Sequence, residues 1–359
     1  MTSRAEEQKR QEHAAFLDEL IARFAETHDP SLRVQVAEAL NARACATDLG
    51  SRLKILDELL EHFSGAPEAA IRLQVAKALS CKAGTLSRMF RMEEQQSVLA
   101  EFVRRFADAP EAEIRLHVAS ALLWRARDPV VMARSEQVVA VLDELLRRFS
   151  QDREPEIRAV VAQATLDRAK ALGRMGRQDE QLPAYNDLIS RFAGSQELRV
   201  RIVVADAYIE KARLLRAFGK IQDQVEACRE FLNDFSGDTR EELQEFVCDA
   251  LLAMGHGFAT IEKPAEAIAA LDELIQVQSK LRWRMPPRRL AEILLCKAKM
   301  MEFAGRKEEA GAVYQELLAM GAKVPGSILW LIPFSREARE SISRLGCVVA
   351  ALSDRRLQL

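Results

Sequence analysis

Leu17, Leu20, Ile21 and Phe24 are spaced i, i+3, i+4 and i+7, the stripe of a helix that buries one face. The same stripe returns as Leu56, Leu59, Leu60 and Phe63, and again as Leu142, Leu145, Leu146 and Phe149. Its second position forms a column through the whole chain: Leu20, Leu59, Phe102, Leu145, Leu188, Phe231, Leu274 and Leu317. The first step of that column is 39 residues and each of the next six is 43. A second column, Val36, Val75, Val118, Val161, Val204, Val247 and Leu290, keeps the same register. Two columns in step identify a repeat, and a repeat of this length is one supersecondary unit that buries its apolar face only against its neighbours.

The first column lies on what we term B helices, the second on A helices. Each A helix carries a small residue eight positions after its column residue: Ala44, Ala83, Ala126, Ala169, Ala212, Gly255 and Ala298. Small residues at a fixed position let helix backbones approach closely. Gly176-Arg177, Gly219-Lys220 and Gly305-Arg306 mark the A-to-B turn, while Pro30, Pro67, Pro110 and Pro155 mark the B-to-A connection. The pattern predicts an all-α chain in three parts. Residues 1–29 form an amino-terminal helix, 30–320 seven A–B pairs with no internal domain boundary, and 321–359 a carboxy-terminal segment. That last segment opens on apolar Ile328–Phe334, continues as a helix from about Ser335 to Leu352, and is read as a cap. Val36 to Leu59 spans 23 residues where later pairs span 27, which places a four-residue shortening in the first A–B connection.

Composition agrees with long helices: Ala, Glu, Lys, Leu and Arg make up about half of the 359 residues, with only 15 glycines and 11 prolines. With 52 basic and 54 acidic residues, no whole-molecule field draws the chain to nucleic acid or an anionic membrane. Met1 to His13 is polar and charged where a secretion signal needs an apolar core, and no run of 18 apolar residues occurs, so a cytoplasmic protein with no membrane partner is expected. The six cysteines contain no C-x-x-C pair and read as small buried thiols in a reducing compartment.

These repeats resemble the tetratricopeptide repeat (TPR) family, in its long-repeat bacterial form, over nearly all of residues 14–320. In the copy from Val204, the A helix Ala205–Leu215 ends at Gly219-Lys220. In the last copy, Gly305 begins the turn, Ala310 takes the family's small position in helix B and Tyr314 its aromatic position, which Tyr185 also matches. The chain departs from the family in a period longer than the usual 34 residues, in Leu for most of the A-helix tryptophans, and in lacking the turn glycine near Glu262 and in the early copies. The resemblance implies an α-solenoid, a right-handed superhelix of antiparallel helix pairs whose concave face, lined by A helices, holds a peptide or partner protein.

Catalytic chemistry finds no support: there is no G-x-S-x-G, H-E-x-x-H or phosphate-cradling G-x-x-x-x-G-K, and the five histidines show no metal-ligand spacing. No enzyme activity, metal or cofactor is expected. An acidic column (Glu19, Glu58, Glu101, Glu144, Asp187, Glu230, Glu273, Glu316) and a basic one (Arg33, Arg72, Arg115, Arg158, Arg201) keep the period, as a ladder of ion pairs or a solvated face does. A third column, Arg43, Lys82, Arg125, Arg168, Lys211 and Lys297, reads as long stems covering apolar surface with their heads in water. By the family's geometry, the residue after the packing alanine faces the groove. There the chain places Arg127, Lys170, Arg213, His256 and Lys299, with Leu123, Leu166, Ile209, Leu252 and Leu295 beside them. A basic row beside an apolar row suits a peptide with acidic and apolar side chains, although Glu38, Asp206, Asp249 and Glu292 lie on the same helices. Arg282-Trp283-Arg284 with Arg288-Arg289 is the one local feature suited to nucleic acid, which is otherwise disfavoured. The expected function is a non-catalytic protein-interaction scaffold. The alternative is a sensor solenoid that changes pitch on binding a peptide or small ligand.

Overall fold

The computed structural model describes residues 4–24, 27–281, 286–323 and 328–345. Helix α1 (Arg4–Phe24) is followed by α2 (Pro30–Cys45), α3 (Leu49–Phe63), α4 (Ala69–Arg88), α5 (Met92–Arg105) and α6 (Ala112–Ala126). A single turn, α7 (Pro129–Met132), precedes α8 (Ser135–Phe149), α9 (Pro155–Arg174), α10 (Gln178–Phe192), α11 (Leu198–Ala217) and α12 (Ile221–Phe235). The series ends with α13 (Glu241–Thr260), α14 (Pro264–Lys280), α15 (Pro287–Phe303), α16 (Lys307–Lys323) and α17 (Ile328–Leu345). Among the described residues there is no strand. The A helices are α2, α4, α6, α9, α11, α13 and α15. The chain forms two compact units, Met1–Ala184 and Tyr185–Leu359, with the division inside α10.

Both columns are core. From Leu59 to Leu317 every member of the B column is fully buried, and Val36 to Val247 are buried in the A helices beside Ala44, Ala83, Ala126, Ala169, Ala212 and Ala298. In the first unit α2 touches α4, α4 touches α6, and α6 touches α9; in the second, α11 touches α13 and α13 touches α15. Successive B helices within a unit do not touch, among the described residues. The small residues therefore bring the A helices together on the inner side of each unit.

Five A-to-B turns share one closure. The backbone N–H of Arg91, Arg177, Lys220, Lys263 and Arg306 donates to the carbonyl of Leu86, Leu172, Leu215, Phe258 and Met301, the Schellman pattern that needs a left-handed residue just past the helix. Gly176, Gly219 and Gly305 supply it, with φ from 72° to 78°. Where the glycine is missing, Phe90 (φ 58°) and Glu262 (φ 56°) adopt the same strained conformation.

Two differences from the sequence reading, and one short helix on which it was silent, have physical causes. The four missing residues of the first pair come from the helix: α2 has 16 residues and α4 has 20, while the turns after them are equally short. Removing about one 3.6-residue turn keeps the buried face in register, and Asp48 caps the start of α3 by accepting from the Gly50 and Ser51 amides. The third A helix stops at Ala126 because Pro129 cannot continue it. Finally, α17 packs on α15 and α16 as an A helix packs on the preceding pair, and Ser341, 43 residues after Ala298, is buried at the small position. The helix begins at Ile328, seven residues before the expected start; residues 346–352 of the expected helix lie outside the described residues.

Candidate functional site

The charged columns resolve into rungs between neighbouring helices. Arg33 pairs with Glu68 (2.8 Å), Arg72 with Glu111 (3.4 Å), Arg115 with Asp152 (2.9 Å) and Arg201 with Asp238 (2.9 Å), each arginine at the start of an A helix reaching the loop before the next one. The rung at Arg201 is buried. Its guanidinium lies 4.3 Å from the Phe235 ring centroid and donates to the Asp234 carbonyl. Tyr208 donates to the Asp234 carboxylate (3.0 Å), and burial together with that carboxylate pushes its phenol well above the ordinary range. Hydrogen bonds from Arg240, with the nearby Arg201 charge, hold Asp238 far below the usual carboxylate range.

The third column is paired too, which corrects the reading of heads left in water. Arg43, Lys82, Arg168 and Lys297 reach Asp18, Asp57, Asp143 and Asp272 on the preceding B helix at 2.5–2.6 Å. Asn186 stands at the corresponding position before Lys211, which pairs with Glu230 instead (3.5 Å). Ala100 stands there before Arg125, and the buried Arg125 Nε has no partner among the described residues.

The predicted basic row is built within each unit separately. In the first unit, Arg127 caps the end of α6 and donates to Asp167 of α9 (2.6 Å), and Lys170 is half-buried on α9. In the second unit, Arg213 pairs with Glu210 (2.7 Å) and approaches Asp249 of α13 (3.7 Å), while Lys299 pairs with Glu337 of α17 (2.5 Å). The apolar row requires correction. Leu123, Leu166, Ile209 and Leu295 are only 1–8% exposed, because the A helices approach closely enough to enclose them. They offer a ligand little area; Leu252 is half-buried. The Arg282-Trp283-Arg284 segment lies outside the described residues. Of its flanking arginines, Arg288 pairs with Glu292 (3.4 Å) and Arg289 with Asp249.

On the inner face of the second unit, four of the ten predicted residues meet. Ile209, Arg213, Leu252 and His256 line a cleft of about 160 Å³ together with Ala212, Arg216, Gln224, Asp249, Ala253 and Arg289. Three guanidiniums face one carboxylate. Arg216 is exposed and makes no ion pair among the described residues. Burial, then the Arg216 charge, holds the His256 imidazole below its ordinary pKa against the opposing pull of Glu292. Gln224 is buried, donates to the Ala253 carbonyl (3.0 Å), and leaves its Oε1 without a partner among the described residues. Arg216 and Gln224 were not in the sequence reading, and Arg289 entered it only beside the segment suited to nucleic acid. Arg216 lies three residues beyond Arg213 on the same helix, a spacing that places both on one face; Gln224 comes from a B helix, and no column marks it. Among the described residues, no group of three or more His, Cys, Asp or Glu is placed to hold a metal, and no helix is long and apolar enough to cross a membrane.

Neither a protein-family model nor a curated protein matches the sequence. The backbone is similar to that of BtubC (BKLC) from P. vanneervenii, at 17% identity and TM-score 0.50, over 69% of this chain and 93% of that one. It is similar to the apo form of RapI at 10% identity and TM-score 0.56, over 94% of this chain and 98% of that one. A third is the signal transduction ATPase with numerous domains of Pyrococcus horikoshii, described as carrying a tetratricopeptide repeat sensor. The likeness is 10% identity and TM-score 0.54, over 92% of this chain and 50% of that one.

Proposed function

We propose that this chain, whose fold is the helix-pair solenoid of tetratricopeptide-repeat proteins, is a non-catalytic interaction scaffold of the cytoplasm that holds an acidic segment of a partner protein or peptide. The observation that carries the reading is the cleft on α11, α13 and α15, where Arg213, Arg216 and Arg289 outnumber Asp249 beside Ile209 and Leu252. Guanidiniums present paired donors to a carboxylate, and the low-dielectric walls of a cleft strengthen their attraction over that of open surface. Arg127 and Lys170 in the first unit, and Lys299 in the second, are further candidate anchors.

The test uses fluorescently labelled peptides of Asp and Leu, with Lys and Leu peptides of the same length as controls, read by anisotropy. The acidic peptides bind, binding weakens as salt rises, and Arg213→Glu with Arg216→Glu abolishes it while circular dichroism shows unchanged helicity. Equal binding of the basic peptides, or an unaffected folded variant, refutes the reading. The likeness to a protein described as carrying a tetratricopeptide repeat sensor supports the second reading, a solenoid that responds to its ligand. Small-angle scattering separates the two: compaction on adding the bound peptide favours the sensor, an unchanged profile the scaffold.

A further inference from the structure

Within the first unit, the residue after the packing alanine of one A helix faces the residue two before the packing alanine of the next. Arg127, after Ala126, meets Asp167, before Ala169. Gly84, after Ala83, faces Trp124, before Ala126: a Cβ on Gly84 would stand 4.0 Å from the indole ring. In the first copy the same two positions are Cys45, after Ala44, and Cys81, before Ala83. They are 36 residues apart against 40 for Arg127 and Asp167, the difference being the helical turn that α2 lacks. Here no long side chains span the gap. Ala44 and Ala83 are fully buried where α2 touches α4, and Cys45 is near enough to Cys81 to be one of the groups that raise its thiol.

We propose that Cys45 and Cys81 are a paired redox site, which a low-molecular-weight disulfide converts to an intramolecular disulfide that staples α2 to α4 on their inner face. Cys45 is exposed and open to attack by, and on, a small disulfide, whereas Cys81 is half-buried behind it. The Cys45 thiolate attacks one sulfur of oxidised glutathione, forming a mixed disulfide and expelling a glutathione thiolate that takes up the proton. The Cys81 thiolate then attacks the Cys45 sulfur and expels the second glutathione thiol. One glutathione disulfide is reduced to two thiols as one protein disulfide forms. Arg52 supports both steps. It fixes the Cys45 backbone by donating to the carbonyls of Ala44, Cys45 and Thr47, and its charge favours the Cys81 thiolate against the burial and the neighbouring Cys45 that raise that thiol. Cys228 and Cys248 are buried on other helices.

The experiment treats the whole chain with oxidised glutathione, blocks remaining thiols, and maps tryptic peptides by mass spectrometry without reduction. The expected product joins peptide 44–52 to peptide 78–82 with the loss of two hydrogens. With Cys81→Ser the same treatment leaves glutathione on Cys45, and with Cys45→Ser it leaves Cys81 as a free thiol. Circular dichroism checks that both variants stay helical. Glutathione that stays on Cys45 of the wild type while Cys81 remains a thiol overturns the proposal, as does a cross-link formed only between two molecules.

Discussion

Replacing Arg201 by methionine keeps a long apolar stem over Phe235 and removes the charge, so it isolates what the buried rung contributes. The arginine is 8% exposed and loses three interactions: the bond to Asp238 (2.9 Å), the bond to the Asp234 carbonyl (3.1 Å) and the Phe235 ring face (4.3 Å). Breaking a buried ion pair costs about 3–5 kcal/mol, and a desolvated cation–π contact about 2 kcal/mol, though such terms overlap. Asp238 keeps Arg240 as a partner, which places the total at the lower end, about 3 kcal/mol. Arg33 occupies the same register in the first pair, with its side chain 28% exposed, one bond to Glu68 (2.8 Å) and a ring centroid 5.9 Å away. Arg33→Met is expected to cost below about 1 kcal/mol, as exposed pairs do. A repeat chain opens locally, so amide hydrogen exchange is the appropriate readout. The α11 and α12 amides should exchange about 100-fold faster in Arg201→Met, at 1.36 kcal/mol per factor of ten, and α2 and α3 less than about fivefold faster in Arg33→Met. Equal effects at the two sites would show that burial does not set the strength of a rung.

Other expectations follow from the turns and the histidines. Phe90 is 86% exposed at φ 58°, so Phe90→Gly relieves strain without removing packing and should stabilise by about 0.5–1 kcal/mol after the entropy of a more flexible unfolded chain. Glu262→Gly should act in the same direction and Gly176→Ala in the opposite one; thermal melts with no such ordering would refute the assignment of strain. His117 and His256 both titrate below their ordinary value of 6.5, chiefly because burial disfavours the imidazolium. The unfolded chain therefore binds these protons more readily. The contribution of the neutral rings is complete above pH 6.5 and is lost as pH falls through that value towards the lower folded pKa. His117→Gln with His256→Gln should flatten urea stability between about pH 7 and pH 5; an unchanged slope would contradict it. A carboxylate bound beside His256 raises that pKa, so acidic peptides should bind more tightly at pH 6 than at pH 8, and loss of this dependence in His256→Gln is the check.

The repeat was readable because burial repeats with it: a column position that is core in one interior copy is core in the others, so Leu59 and Phe231 carry the same information. What lay between copies was harder to read. The Asp18–Arg43 and Asp57–Lys82 pairs join residues 25 apart on different helices, and spacing within one helix cannot show that two columns meet. The four-residue shortening was visible as a number, but helix or connection was a choice that only the equal turn lengths decide. Leu166 and Ile209 were assigned an open face by the geometry of a shorter repeat, whereas close A-helix packing encloses them. The cleft draws Gln224 from a B helix and Arg289 from the start of α15 to the end of α11, a convergence with no period to reveal it.

The rungs also bear on the order in which the chain acquires structure during synthesis. Arg33 and Glu68 are 35 residues apart, and Arg115 and Asp152, like Arg201 and Asp238, are 37 apart. At about 5–20 residues per second, each arginine leaving the ribosome waits roughly two to seven seconds for its acid. Each helix pair can close before the next is complete, so the nascent chain need hold no more than about one copy's apolar stripe open to its surroundings.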